Sequence, residues 1–116
     1  MGVRAFLKGY RASARKVRLV ADQIRGKNVE EALTLLQLSD KRAARPLAKL
    51  VRSAVANANE KNSREKAGID IDNLVVSSIQ VGEGPSAWRI MPRAQGRAAW
   101  IQRRTSHIEV ILDEKN

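Results

Sequence analysis

Five arginines, Arg89, Arg93, Arg97, Arg103 and Arg104, fall within residues 83–107 against a single acid, Glu83. A guanidinium presents a planar fork that grips a phosphate through two N–H donors and also stacks on flat rings. Such a cluster suits holding a polyanion better than transforming a small substrate. Charge runs are usually solvated faces, but here Gly84, Pro85, Pro92 and Gly96 break any regular ladder. A two-stranded ribbon is marginal in water even without such breakers. An external partner is needed to order the segment, and a nucleic acid supplies the matching charge.

A second basic region precedes it. Residues 1–27 hold eight bases and one acid, whereas residues 28–82 are nearly balanced, with eight bases and seven acids. The whole chain of 116 residues carries a net charge of +10, and the uneven distribution is that of one surface facing a polyanion. Arg15, Arg18 and Arg25, with Arg11, Lys16 and Lys27 nearby, form either an exposed helical face or, lying beside a helix cap at Ser13, a phosphate-docking one. For Arg42, Arg45, Lys49 and Arg52, nearly neutralised by acids elsewhere in the middle segment, the two readings stand level.

Trp88 and Trp100 are the only tryptophans, and both lie in the basic segment of residues 83–107. Their indoles either stack on exposed bases or rest on each other. His107 is the sole histidine and there is no cysteine, so a metal site or a histidine-dependent triad lacks its parts. It reads as a hydrogen-bonding residue at the base of the basic segment. Asp70 and Asp72, between Gly68 and Asn73, read as turn and cap residues rather than a metal pair. No glycine-rich phosphate loop and no membrane or export signal is evident. Neither an enzyme nor a bound cofactor or metal is expected.

The elements that position these groups follow from periodicity. Residues 3–10 form a strand, and Ser13 opens a helix to Arg25 that Gly26 stops, with Val17, Val20, Ala21 and Ile24 inward. Leu19 fits neither face. Asn28 and Glu31 make a capping box for a second helix ending near Leu38, with Val29, Ala32, Leu33 and Leu36 inward. Ser39 or Asp40 caps a third, whose core face runs through Ala44, Leu47, Ala48, Val51, Ala54, Val55 and Ala58. Pro46 is expected to bend its first turns, and the polar stretch from Asn57 to end it.

Two further strands, carrying Leu74 to Val81 and Ile108 to Leu112, flank the basic segment. Folding that segment at Ala94, Gln95 and Gly96 sets Val81 opposite Ile108 and Ile79 opposite Val110, apolar on apolar. The same register sets Arg89 opposite Trp100. At about 3.3 Å per residue each side of the arm reaches about 40 Å, against a radius of gyration of about 13 Å for a compact chain of this length. The arm, residues 83–106, therefore projects from a single domain spanning residues 1–116.

The run Arg15-Lys16-Val17-Arg18-Leu19-Val20-Ala21-Asp22, followed by Ile24-Arg25-Gly26-Lys27, resembles the signature of the large-subunit ribosomal protein L-twenty-two family. Ser53 to Ala58, Glu83-Gly84-Pro85, Met91-Pro92-Arg93-Ala94, Gly96-Arg97-Ala98 and Arg104-Thr105-Ser106-His107-Ile108 match in order and spacing, so the likeness covers nearly the whole chain. It implies an α+β fold: three helices packed on a small three-stranded antiparallel sheet, with a long projecting β-hairpin.

It also implies a structural role in the large ribosomal subunit of the cytoplasm, without catalysis. The partners implied are large-subunit rRNA, neighbouring ribosomal proteins and the nascent polypeptide in the exit tunnel, the protein being a monomer within the ribosome. Carried over by position, rRNA contacts fall on Arg11, Ser13, Arg15, Lys16, Arg18, Arg25 and Lys27, and on Arg89, Arg93, Arg97, Arg103, Arg104, Thr105, Ser106 and His107. The tunnel tip is Arg93, Ala94, Gln95, Gly96 and Arg97, near which macrolides bind in the family. The chain departs from the family pattern at Ala14, Trp88, Gln95 and Trp100.

The alternative is an architectural DNA-binding protein with basic β-arms, in which Pro92 would act as a wedge between base steps. That reading requires a dimer, whereas the ribosomal one requires a monomer.

Overall fold

Burial at every second residue, through Ser106, Ile108, Val110 and Leu112, marks a strand packed on one face. In the computed structural model this strand is the middle of the sheet. The structure describes residues 2–66, 68–92, 96 and 98–114, with the side chains at 87, 89, 91, 92, 98, 99 and 101 left aside. The element order is β1 (Val3–Tyr10), α1 (Ala14–Ile24), α2 (Val29–Leu38), α3 (Ala44–Glu65), a 3₁₀ turn (Ile71–Asn73), β2 (Leu74–Glu83), β3 (Ala87–Pro92), β4 (Ala98–Arg103) and β5 (Ser106–Glu114). Strands β1, β5 and β2 form an antiparallel sheet in that order, and β3 pairs with β4 as a separate ribbon. The expected α+β class, three helices on a three-stranded sheet, is borne out.

The sequence of β2 carries a phase break that its packing explains. Leu74 and Val76 are buried, as are Ile79 and Val81, yet the two pairs differ in parity along the strand. A bulge at Ser77 resolves the conflict: the register with β5 shifts between Val76 and Ser78, and the Ser77 hydroxyl donates to the Ile111 carbonyl at 3.1 Å. The extra residue returns the later pair to the core face. Val81 then faces Ile108 and Ile79 faces Val110, as the apolar matching required.

The helices cover one side of the sheet. Helix α1 buries Ala14, Val17, Val20, Ala21 and Ile24, and ends one residue earlier than expected, followed by Gly26 at φ +79°. That left-handed position is where a side chain would be strained. Leu19 is 59% exposed, so it does not belong to the core. In α2 the Asn28 side chain accepts from the Glu30 N–H at 2.9 Å, one residue short of the capping-box donor, while Glu31 pairs with Lys27 at 3.7 Å.

Helix α3 corrects three expectations. It begins at Ala44, after a turn in which Ser39 Oγ accepts from the Lys41 N–H, so neither Ser39 nor Asp40 is its cap. Pro46 thereby falls in the first turn, where a missing N–H forfeits no helical bond, and the helix runs unbroken to Glu65. The polar stretch from Asn57 continues the helix because its amides clamp neighbouring segments. Asn57 Nδ2 donates to the Arg4 carbonyl at 2.8 Å, and Asn62 both donates to the Ile69 carbonyl and accepts its N–H, each at 2.8 Å. Ala58 is fully buried, as its place on the expected core face requires, and Lys66 closes the helix at φ +48°.

The radius of gyration is 17.4 Å and the extents are 64 × 28 × 17 Å. A compact chain of this length would have a radius of about 13 Å. The excess lies along one axis, as a ribbon projecting from a packed body produces.

Candidate nucleic-acid interface

The root of the arm is held by short-range backbone economy. Gly84 N–H donates to the Thr105 carbonyl at 3.0 Å, and Thr105 Oγ1 donates to the Pro85 carbonyl at 2.6 Å. A Cβ at Gly84 would stand 2.6 Å from Thr105 Oγ1 and 3.0 Å from His107 Cε1, so only glycine fits between them. His107 Nδ1 accepts the Gly9 N–H at 2.9 Å, which leaves Nε2 to carry the ring proton. Gly9 sits at φ +68° in the irregular stretch between Leu7 and Tyr10 of β1. His107 thus ties β1 to the arm's base, the hydrogen-bonding role read from the sequence.

The cations of α1 divide into two groups. β2 is an edge strand, and its outward carbonyls need partners. Gly26 N–H donates to the Val76 carbonyl and Val76 N–H to that of Lys27, at 2.9 and 2.8 Å. Further along the edge, Arg25 Nη2 donates to the Ile79 carbonyl at 2.8 Å, and Arg18 donates to that of Val81 through Nε at 3.1 Å and Nη2 at 2.8 Å. Arg25 also pairs with Asp22. Arg18 and Arg25 therefore seal the sheet edge, a role that sequence reasoning missed because nothing in helical spacing reveals a carbonyl 63 or 54 residues away. Arg11, Arg15 and Lys16 are exposed and form no ion pair among the described residues.

This division predicts opposite behaviour for two neighbouring arginines. Arg18→Ala is expected to lower stability by about 1 kcal/mol, since a hydrogen-bonded charged donor is lost from a partly buried carbonyl, and Arg18→Lys to recover only part because an ammonium has no fork. Arg15→Ala is expected to leave the urea midpoint unchanged. Equal midpoints for the two alanine variants would contradict the edge role.

A polar cleft lined by Ala14, Glu83, Gly84, Ser86, Gln102, Arg104 and Thr105 brings the N-terminus of α1 against the arm root. The two basic regions, remote in sequence, are thereby adjacent. Ser13 stands at the N-cap without a side-chain bond to the helix. Arg103 and Arg104 are exposed and Thr105 is half-buried, but Ser106 is wholly buried with its hydroxyl unpaired. Its side chain faces the core side and not the surface.

Asp70 accepts from the Asp72 N–H at 3.2 Å, capping the 3₁₀ turn as expected. Arg93, Ala94, Gln95 and Arg97 of the expected tip lie outside the described residues, as does the Arg89 side chain; Gly96 is at φ +72°.

The arm's register departs from the sequence expectation. β2 and β5 pair up to Glu83 with Ser106, while the ribbon begins with Ala87 opposite Arg103. Three residues, Gly84, Pro85 and Ser86, thus face two, Arg104 and Thr105. This one-residue offset places Arg89 opposite Ile101, and Trp100 opposite Ile90, instead of Arg89 opposite Trp100. The expected pairing extended the body's register straight through breakers that in fact absorb an extra residue.

A packed α+β body with a projecting two-stranded ribbon, and polar groups that anchor the ribbon's root, defines a protein built around that ribbon. Residues 5–113 match the family described as ribosomal protein L22p/L17e. The large ribosomal subunit protein uL22 of Maridesulfovibrio salexigens is 50% identical over 114 residues, covering 98% of this chain and 99% of its own length. That of Desulforamulus reducens is 50% identical over 115 residues, covering 99% and 97%. The chain belongs to the ribosomal protein L22p/L17e family, and as such is a structural constituent of the large ribosomal subunit and not an enzyme. Membership favours the ribosomal reading over that of an architectural DNA-binding protein.

Proposed function

We propose that the chain binds large-subunit rRNA through one continuous surface. It is made of the exposed cations Arg11, Arg15 and Lys16, the cleft at Arg104, and the ribbon with Arg89, Arg93, Arg97 and Arg103. Arg18, Arg25 and Lys27 add positive potential beside it while bonded within the chain. Ser13 and Thr105 lie at the junction, His107 holds the root by accepting the Gly9 N–H, and Ser106 packs beneath with its side chain buried. The observation that carries this reading is the juxtaposition of α1's N-terminus with the arm root, which merges two basic regions that the sequence keeps 62 or more residues apart.

In the assembled cytoplasmic subunit the ribbon runs among rRNA segments and supports their packing. The tip, residues 93–97, lines the nascent-chain exit tunnel, and the body contacts neighbouring ribosomal proteins as a monomer. Phosphate contacts position such a protein, since each arginine fork neutralises backbone charge and releases counterions.

A photo-crosslinker placed at Gln95 of the full chain, in translating cells, tests both levels. The protein is expected in the large-subunit fraction of a gradient, with crosslinks to rRNA and to nascent chains. Recovery mainly with chromosomal DNA would overturn the rRNA reading, and crosslinks to RNA alone the tunnel assignment.

A further inference from the structure

We propose that Trp88, Ile90 and Trp100 form a stacking platform for unpaired bases of the RNA contacted by the ribbon, an inference that rests on the rRNA-binding reading. In the observed register Trp100 lies opposite Ile90, and Trp88 opposite Gln102, two residues along from Trp100. Residues opposite each other, or two apart on one strand, share a face of an antiparallel ribbon. Both indoles and Ile90 therefore stand on the same face.

Trp88 and Ile90 are each 60% exposed and Trp100 67%. Two indoles resting on each other would cover much of their flat surface, and these do not. Large exposed apolar groups in a row mark an interaction surface. Their setting identifies the partner: between Gly84 and His107 every charged residue is an arginine.

The partner must therefore offer negative charge and flat apolar faces together. Single-stranded RNA does both, with phosphates for the arginines and base faces for the indoles. A duplex hides its base faces in the stack, and an apolar protein surface supplies no phosphates. The one-residue offset at Gly84, Pro85 and Ser86 is what brings the indoles together. Without it Trp88 and Trp100 would point to opposite faces, and no platform would exist.

Because both tryptophans lie in the ribbon, indole fluorescence reports on it alone. Titrating the full chain with an unstructured single-stranded RNA is expected to quench the emission, whereas a duplex of equal length quenches little. With large-subunit rRNA, Trp88→Leu and Trp100→Leu are each expected to weaken binding about tenfold. The salt slope should not change, because no charge is removed, and Phe variants should retain most of the affinity.

Unaltered emission at saturation with RNA, or leucine variants binding as tightly as the parent, overturns the platform while leaving rRNA binding intact. Emission that changes only when other subunit proteins are added overturns it too. Failure of the parent chain to bind rRNA overturns both. The three positions are exposed, so melting of the variants should match the parent.

Discussion

Replacing Arg89, Arg93, Arg97, Arg103 and Arg104 together with glutamine is expected to weaken rRNA binding by roughly two to three orders of magnitude at moderate salt while leaving the body folded. Each arginine that neutralises a phosphate contributes a charge-assisted contact and releases counterions. The slope of log affinity against log salt is therefore expected to flatten by about 4 units for five lost contacts. Arg103 and Arg104 are exposed, and all five lie in the arm's sequence, outside the helices and the three-stranded sheet of the body, so the melting temperature should stay within roughly 3 °C of the parent. Filter binding of large-subunit rRNA across a salt series separates the two effects. A variant with unchanged slope would show that the ribbon's charge is not what RNA reads.

The largest effect on stability is expected at Leu47. It is fully buried on α3, the helix that packs against α2, β1 and β5, and it sits amid alanines Ala44, Ala48, Ala54 and Ala58, which bring neighbouring elements close. Leu47→Ala deletes methyl groups at a site with little freedom to collapse, a loss of about 3 kcal/mol, or about 10 °C or more in melting temperature for a domain of this size. Leu38→Ala makes the same chemical change at a position 79% exposed, and it is expected to stay within about 0.5 kcal/mol. Urea melts of the pair give the comparison directly. Similar midpoints would mean that α3 is not the centre of the core.

Much of the fold was readable because local and global signals agree. Helical spacing placed Val17, Val20, Ala21 and Ile24 on one face, all of which are buried, and apolar matching found the pairing of Ile79 with Val110 and Val81 with Ile108. The misses share one cause. Pro46, Asn57 and Asn62 were read by local propensity, but the helix start two residues before the proline and the amide clamps onto Arg4 and Ile69 outweighed it. Propensity amounts to tenths of a kcal/mol per residue, whereas a side-chain amide hydrogen bond contributes about 1 kcal/mol.

At the candidate interface, the sequence by itself determined that a basic, broken segment carrying the only two tryptophans projects between paired strands, since charge, breakers and alternation are all local properties of the chain. It also determined the family, through motifs spread over nearly its whole length. Tertiary structure alone decided how the cations are spent, because Arg18 and Arg25 reach β2 carbonyls that helical spacing cannot foresee. It alone decided which face the tryptophans share. One extra residue at Gly84, Pro85 and Ser86 reverses every side chain beyond it, and a period of two makes that outcome depend on a count that only the folded root settles.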